Sequence, residues 1–206
     1  MDDLEEEVVS FVGLIRDQRP VVEHTELRFG VPGSEHPAVG LTLPSGRRLW
    51  LRGAIDRVDR LRSNQLRVVD YKTGSNRPYS KTTTWKGGRR LQHALYAAIA
   101  ESLLRTDVER AEYWFPTRKG ENEIRPFHRL ELVRGLELLD RMLDLAAHGR
   151  FLPTDDPADC FICDFKTICR ATRSRWGDLK SPPAEWGKAS YEHEAYDLLR
   201  IVRGFV

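Results

Sequence analysis

Apolar residues in the opening segment recur at helical spacing. Leu4, Val8, Phe11, Val12 and Ile15 fall on one face of a helix over residues 2–17, which Pro20 closes. The spacing then shifts to strand character in "VVEHTELRF". "AVGLTLPSGRRLWLRGAIDRVDRL" reads as two strands joined at the turn "PSG". "SNQ" makes the next turn and "LRVVDYKTG" the next strand, so three strands joined by short turns predict an antiparallel meander. A long polar loop over 75–89 leads into "RLQHALYAAIAESLLR", where Leu91, Leu95, Ala98, Ile99 and Leu103 are spaced as in a helix. "RAEYWFPTR" reads as a strand with "EIRPFHRLEL" as its partner, and "ELVRGLELLDRMLDLAAHG" as a second long helix ending at Gly149. Beyond it lie an irregular cysteine-bearing segment, a linker at "SPPAEWG" and a short terminal helix in "SYEHEAYDLLRIVRGF". The order predicts an α/β fold, a mixed β-sheet core flanked by helices, with no internal repeat.

Composition narrows this little. Of 206 residues, 40% are hydrophobic and 31% charged, the balance of a chain with enough apolar mass for a core. No run approaches the roughly 18 apolar residues that span a bilayer, and the acidic N-terminus lacks a signal peptide's basic start, so a cytoplasmic location and no membrane partner are expected. The net charge of +2 argues little for nucleic acid, but its distribution does more. "RPYSKTTTWKGGRR" carries Arg77, Lys81, Lys86, Arg89 and Arg90 with no acid, and Tyr79 and Trp85 lie among them. Cations interleaved with stacking side chains suit a nucleic-acid strand; a solvated surface loop is the plainer reading. A second basic stretch, "FKTICRATRSRWGDLK", overlaps the last cysteine.

The candidate chemistry sits in two strands. Asp56 interrupts an apolar strand, with Ala54 and Val58 on its face and Ile55, Arg57 and Asp59 on the other. Asp70 and Lys72 are two apart, so they share a face of the next strand. Adjacent strands would bring Asp56 opposite Asp70 and Lys72. Two such carboxylates repel unless a cation joins them, and a hard divalent metal with oxygen ligands is the natural one. The Tyr71 carbonyl is a further candidate ligand. Carboxylate-held Mg²⁺ or Mn²⁺ suits phosphodiester hydrolysis, with Lys72 orienting the attacking water or neutralising developing charge. A surface pair on a hairpin is the alternative for a lone D-x-K.

"GAIDRVDRL" followed by "LRVVDYKTG" resembles the nuclease domain of RecB-type and AddB-type proteins, within the PD-(D/E)XK superfamily, over roughly residues 20–170. The resemblance implies a restriction-endonuclease-like core. It also implies an acid at Asp56, an acid and a lysine at Asp70 and Lys72, and a Gln-x-x-x-Tyr signature at Gln92 and Tyr96 in "QHALY". Four residues apart on a helix, these last two share a face. Glu26 resembles the family's strand glutamate. RecB-type domains usually carry a metal-ligating histidine on the first helix, and residues 2–17 contain none.

Cys160, Cys163 and Cys169 are the only cysteines, and their clustering suggests metal over a disulfide framework. The resemblance implies a [4Fe–4S] cluster, whose fourth cysteine lies upstream in AddB-type nucleases and is missing here. Unused thiols, or zinc completed by His128 or His148, are the other readings. A cluster built on three cysteines would bring their sulfurs together, directed toward the first helix.

The expected domain plan is a nuclease domain over 1–172, including a cysteine staple over 150–172, then a linker and terminal helix over 173–206. The missing cysteine and histidine suggest a C-terminal fragment of a longer polypeptide, or a shortened homologue. Two functions compete. One is a metal-dependent deoxyribonuclease, an exonuclease module acting on single strands or duplex ends beside a helicase domain or subunit in recombination repair. The other is a catalytically impaired DNA-binding module on the same fold. A restriction-type or CRISPR-adaptation nuclease shares the core.

Overall fold

The computed structural model describes residues 3–79, 84–161, 163–174 and 177–205. The chain divides into two compact units, Met1–Asp140 with Phe205–Val206, and Arg141–Gly204. The first unit is built on a five-stranded mixed sheet in the order β1-β4-β5-β6-β7. Its strands are β1 (Val21–Phe29), β4 (Gly53–Arg60), β5 (Leu66–Tyr71), β6 (Val108–Phe115) and β7 (Glu123–His128). β1 pairs antiparallel with β4 and β4 with β5. Of the expected three-strand meander over residues 38–74, only the β4–β5 hairpin lies in this sheet, because the first strand pairs in a separate hairpin. β6 runs parallel to β5, because α2 (Gln92–Leu104) carries the chain back across one face, and β7 returns antiparallel. β5 is the central strand, buried from Leu66 to Asp70, the charged Arg67 and Asp70 included.

Residues 39–60 form three strands where two were expected. β2 (Val39–Thr42) and β3 (Arg48–Leu51) make a separate hairpin, turned at Gly46 with φ 85°, and β4 begins only at Gly53. The apolar run "LWLRGAI" conceals the change of sheet between Leu51 and Gly53.

α2 buries His93, Ala94, Ala97, Ile99 and Ala100. The Leu95, Ala98 and Leu103 positions of the expected stripe are only half-buried, since the small residues give the closer approach to the sheet. α3 (Arg129–Ala147) meets α2 at Gly135, where a Cβ would stand 2.5 Å from Ala94 Cβ and from the Trp85 ring. α1 (Asp3–Gln18) lies over the other face, with Phe11 edge-on to Tyr71 at 5.6 Å and Ser10 Oγ donating to Asn122 Oδ1 at 2.7 Å. Val8 and Val12, expected on its packed face, are 52% and 57% exposed. The apolar stripe is wider than the surface Phe11, Leu14 and Ile15 cover.

The second unit contains α4 (Pro157–Phe161), a short hairpin of β8 (Thr172–Arg173) with β9 (Leu179–Lys180), α5 (Pro182–Ala189) and α6 (Asp197–Arg203). "SPPAEWG" is therefore largely a helix, not a linker. Ser181 caps α5 by accepting from the Ala184 amide at 3.2 Å, and the prolines occupy the first turn, where a missing N–H costs nothing.

Candidate active site

The β4–β5 ladder sets Asp59 opposite Arg67, Val58 opposite Val68 and Arg57 opposite Val69. One step further, the same register brings Asp56 opposite Asp70 on one face. Asp56 Oδ2 accepts a hydrogen bond from the Tyr71 amide at 2.8 Å. Among the described residues Asp56 Oδ1 makes no hydrogen bond. Asp70 is 5% exposed. Burial pushes its carboxyl up, the hydrogen bond and charge of Lys72 pull it down, and the Asp56 charge raises it again. Lys72 Nζ contacts Asp70 Oδ2 as a close ion pair.

Lys72 is itself held from α2. Its Nζ donates to Gln92 Oε1 at 2.7 Å, and Gln92 Nε2 donates to Tyr96 OH at 3.1 Å. Gln92 and Tyr96 stand one helical turn apart, which places them in series on the site side of α2. The structure thus brings Asp56, Asp70, Lys72, Gln92 and Tyr96 into one connected group. Tyr71 takes part through its amide, which binds the Asp56 carboxylate.

Two acids on adjacent strands, one buried beside Lys72 and the other with an oxygen outside any hydrogen bond, suit a hard divalent cation. Asp56 and Asp70 are the residues that would hold it. Among the described residues no group of three or more His, Cys, Asp and Glu side chains is arranged around a common point. Glu26 accordingly does not complete a triad. It lies between the ladder pairs Thr25–Arg57 and Leu27–Ile55, which sets it opposite Asp56 across the β1–β4 ladder, and the residue is exposed. Its φ of 50° is left-handed inside a strand, a strained setting for a residue with a Cβ.

Sequence reasoning missed His93 and Tyr113. Tyr113 is the β6 neighbour of Asp70, and Lys72 Nζ lies 5.0 Å from its ring centre. His93 Nδ1 lies 2.9 Å from Tyr113 OH. The imidazole is stacked between Trp85 and Phe127, and burial pushes its pKa down to about 3, so it is neutral. Its place inside "QHALY" was the available signal.

The basic loop differs from expectation in its aromatics. Trp85 is 1% exposed and stacks on His93, while Tyr79 packs edge-on to Tyr113 and Phe115. Neither is free to stack on a base, because both close the core above α2 and β6. Arg90 caps Tyr79, its guanidinium 4.0 Å from the ring centre and Nη2 donating to Pro78 O at 2.7 Å. Arg77, Lys86 and Arg89 are exposed. Lys81 lies outside the described residues.

In the second unit the three sulfurs do not assemble into the expected group. Cys160 is buried with Sγ 3.0 Å from Ser181 Oγ, and Cys163 Sγ accepts from the Phe165 amide at 3.4 Å. Cys160 is taken by the α5 cap, so the donors as arranged do not fit a cluster. Nor do they support a zinc site with His148, whose Nδ1 lies 2.7 Å from Asp144 O.

A further set of charges lies behind the site. Arg57, Asp59, Arg67 and Glu112 are all buried on the sheet face opposite Asp56 and Asp70. Arg57 Nη1 donates to Tyr71 OH, and its Nε lies 3.0 Å from Asp59 Oδ1. Arg67 donates to Asp59 Oδ2 at 2.9 and 2.7 Å, and Trp114 Nε1 donates to Glu112 Oε2 at 2.6 Å. The alternation of Arg57 and Asp59 on one face was visible in the sequence; their burial was not.

A mixed sheet whose central antiparallel pair presents two acids and a lysine, braced by a following helix, defines a nuclease-type core. The sequence matches the profile of the PD-(D/E)XK nuclease superfamily over residues 3–170, and the chain belongs to that superfamily. Within it, the chain is similar to proteins of Clostridium perfringens named as a subunit of an ATP-dependent helicase/deoxyribonuclease. Identity is 46% over 55 residues in strains ATCC 13124 and 13, and 44% in strain SM101. The match covers 25% of this chain and 5% of each relative's length.

Proposed function

We propose that this chain is a divalent-metal-dependent deoxyribonuclease domain, an exonuclease module of a helicase–nuclease of the kind used in recombination repair. The observation that carries the reading is the connected group in which Asp56 and Asp70 share a face and Lys72 is tethered to Gln92. The partial likeness to the clostridial helicase/deoxyribonuclease proteins supports DNA as substrate and a helicase as neighbour. The functional span is taken as residues 1–172, with Asp56 and Asp70 as metal ligands and Mg²⁺ or Mn²⁺ as the ion. Such an ion supplies Lewis-acid stabilisation of the phosphate and a more acidic water.

The side chains contribute the rest. The Tyr71 amide fixes the Asp56 carboxylate, and Gln92 keeps the Lys72 ammonium at the mouth of the pair. There Lys72 offsets the negative charge that grows on the phosphate in the transition state. Tyr96 orients Gln92. Arg77, Lys86 and Arg89, exposed on the loop after β5, suit phosphate-backbone contacts without base readout.

The test is cleavage of end-labelled linear single- and double-stranded DNA with Mg²⁺ or Mn²⁺. The expected result is metal-dependent cutting that Lys72→Ala and Asp70→Ala each reduce by about 10²-fold or more. Equal rates for parent and variants would refute it. A second reading, a catalytically impaired DNA-binding module, is favoured by the lack of histidine on α1. Its signature is salt-dependent DNA binding in EDTA with no cleavage under any divalent ion.

A further inference from the structure

We infer that Arg57, acting through Tyr71 from the reverse face of the sheet, is a positioning residue for the Asp56–Asp70–Lys72 site. The inference rests on the nuclease reading for its catalytic consequence only. Tyr71, the last residue of β5, stands between Asp70 and Lys72, so its side chain points away from the site while its backbone forms part of it. Its amide is the donor that holds Asp56. Its hydroxyl is the acceptor for Arg57 Nη1. One residue therefore carries a restraint from each face at the point where the catalytic strand ends.

Arg57 is well placed to hold that restraint. It is 3% exposed, its guanidinium lies 4.2 Å from the Trp114 ring centre and 5.4 Å from that of Tyr71, and Asp59 neutralises it. Asp59 in turn pairs with Arg67, its partner across the ladder. A slip of one residue in β4–β5 would separate Asp56 from Asp70 and strand these buried charges together. Buried ion pairs contribute little net stability, since apolar residues of the same volume often serve as well. A positional role accounts for such charges behind an active strand pair, where a purely apolar layer would fill the space.

The test uses Arg57→Met, which keeps apolar volume, and Tyr71→Phe, which removes only the hydroxyl. A control is Leu138→Ala, a buried α3 residue remote from these contacts in the chain. The first readout is amide hydrogen exchange in EDTA, without metal or DNA. Arg57→Met should lower protection of the Tyr71 amide by about tenfold or more, and Tyr71→Phe by about threefold, with the Ala111 and Tyr113 amides of β6 unchanged. Leu138→Ala should not single out Tyr71. The second readout is kinetic: per folded molecule, kcat should fall about 10- to 100-fold in Arg57→Met with KM for DNA little changed. Unchanged Tyr71 protection in both variants would overturn the inference, as would a loss spread evenly over the sheet. If Arg57→Met fails to fold, Tyr71→Phe decides the matter. If the parent protein does not cleave, the nuclease reading fails while the exchange result still settles the positioning.

Discussion

Replacing Lys72 with methionine isolates the charge that balances the two carboxylates. The lysine side chain is 21% exposed and that of Asp70 6%, so the pair is half-way between surface and core. At an effective dielectric near 20, a close ion pair is worth roughly 4 kcal/mol gross. Desolvation and the exposure of Lys72 reduce this to about 1–2 kcal/mol net. Loss of the bond to Gln92 adds roughly 1 kcal/mol. The pH dependence separates the two contributions. The carboxyl of Asp70 is raised above its usual value in the folded protein, chiefly by burial, and Lys72 holds it down against that burial. Without Lys72 it rises further. When Asp70 is protonated in both proteins, only the Gln92 contribution distinguishes them. As pH rises through the Asp70 pKa of the parent, the variant loses further stability, and the gap is complete above the variant's own, higher pKa. Thermal or urea unfolding in EDTA across this range measures the gap. Added Mn²⁺ should stabilise the variant more than the parent, because the cation then replaces the missing ammonium. A gap that does not change with pH would show that Lys72 does not balance Asp70 and would refute the reasoning.

Glu26→Gly should raise stability by about 1 kcal/mol by relieving the left-handed φ within β1; unfolding free energies check this, and a loss of more than about 1 kcal/mol would show that the strand is not strained there. Gly135→Ala should destabilise the first unit by about 1–3 kcal/mol, since its Cβ meets Ala94 and Trp85 at 2.5 Å, and a neutral result by chemical denaturation would contradict the α2–α3 contact. The isolated chain, reconstituted anaerobically, should take up less than one [4Fe–4S] equivalent, and what it takes up should be oxygen-labile; iron and sulfide analysis giving a full, stable cluster would show that a non-cysteine ligand completes it.

Asp56, Asp70 and Lys72 could be assigned to one face from the sequence because strand alternation is a local rule, and a turn as short as "SNQ" leaves the partner strand little choice of register. The same holds for Gln92 and Tyr96, one helical turn apart. The mixed sheet followed from the order of strands and helices; which pair runs parallel, β5 with β6, was seen in the structure, where α2 carries the chain back between them. The change of sheet at Arg52 did not, since no local preference separates "LWL" from "GAI". Whether Tyr79 and Trp85 meet a nucleic acid or the core could not be read either. An aromatic among cations has the same local pattern in both cases, and only the packing of α2, β6 and α3 around Trp85 decides it. Burial of Arg57, Asp59, Arg67 and Glu112 was hidden for the same reason: charged residues signal exposure one at a time, and become core residues only when three strands bring their opposite charges together. The sequence by itself determined that the acid–acid–lysine group shares one face, because spacing fixes faces. The tertiary structure decided what supports that group from behind, because support depends on contacts between strands distant in the chain.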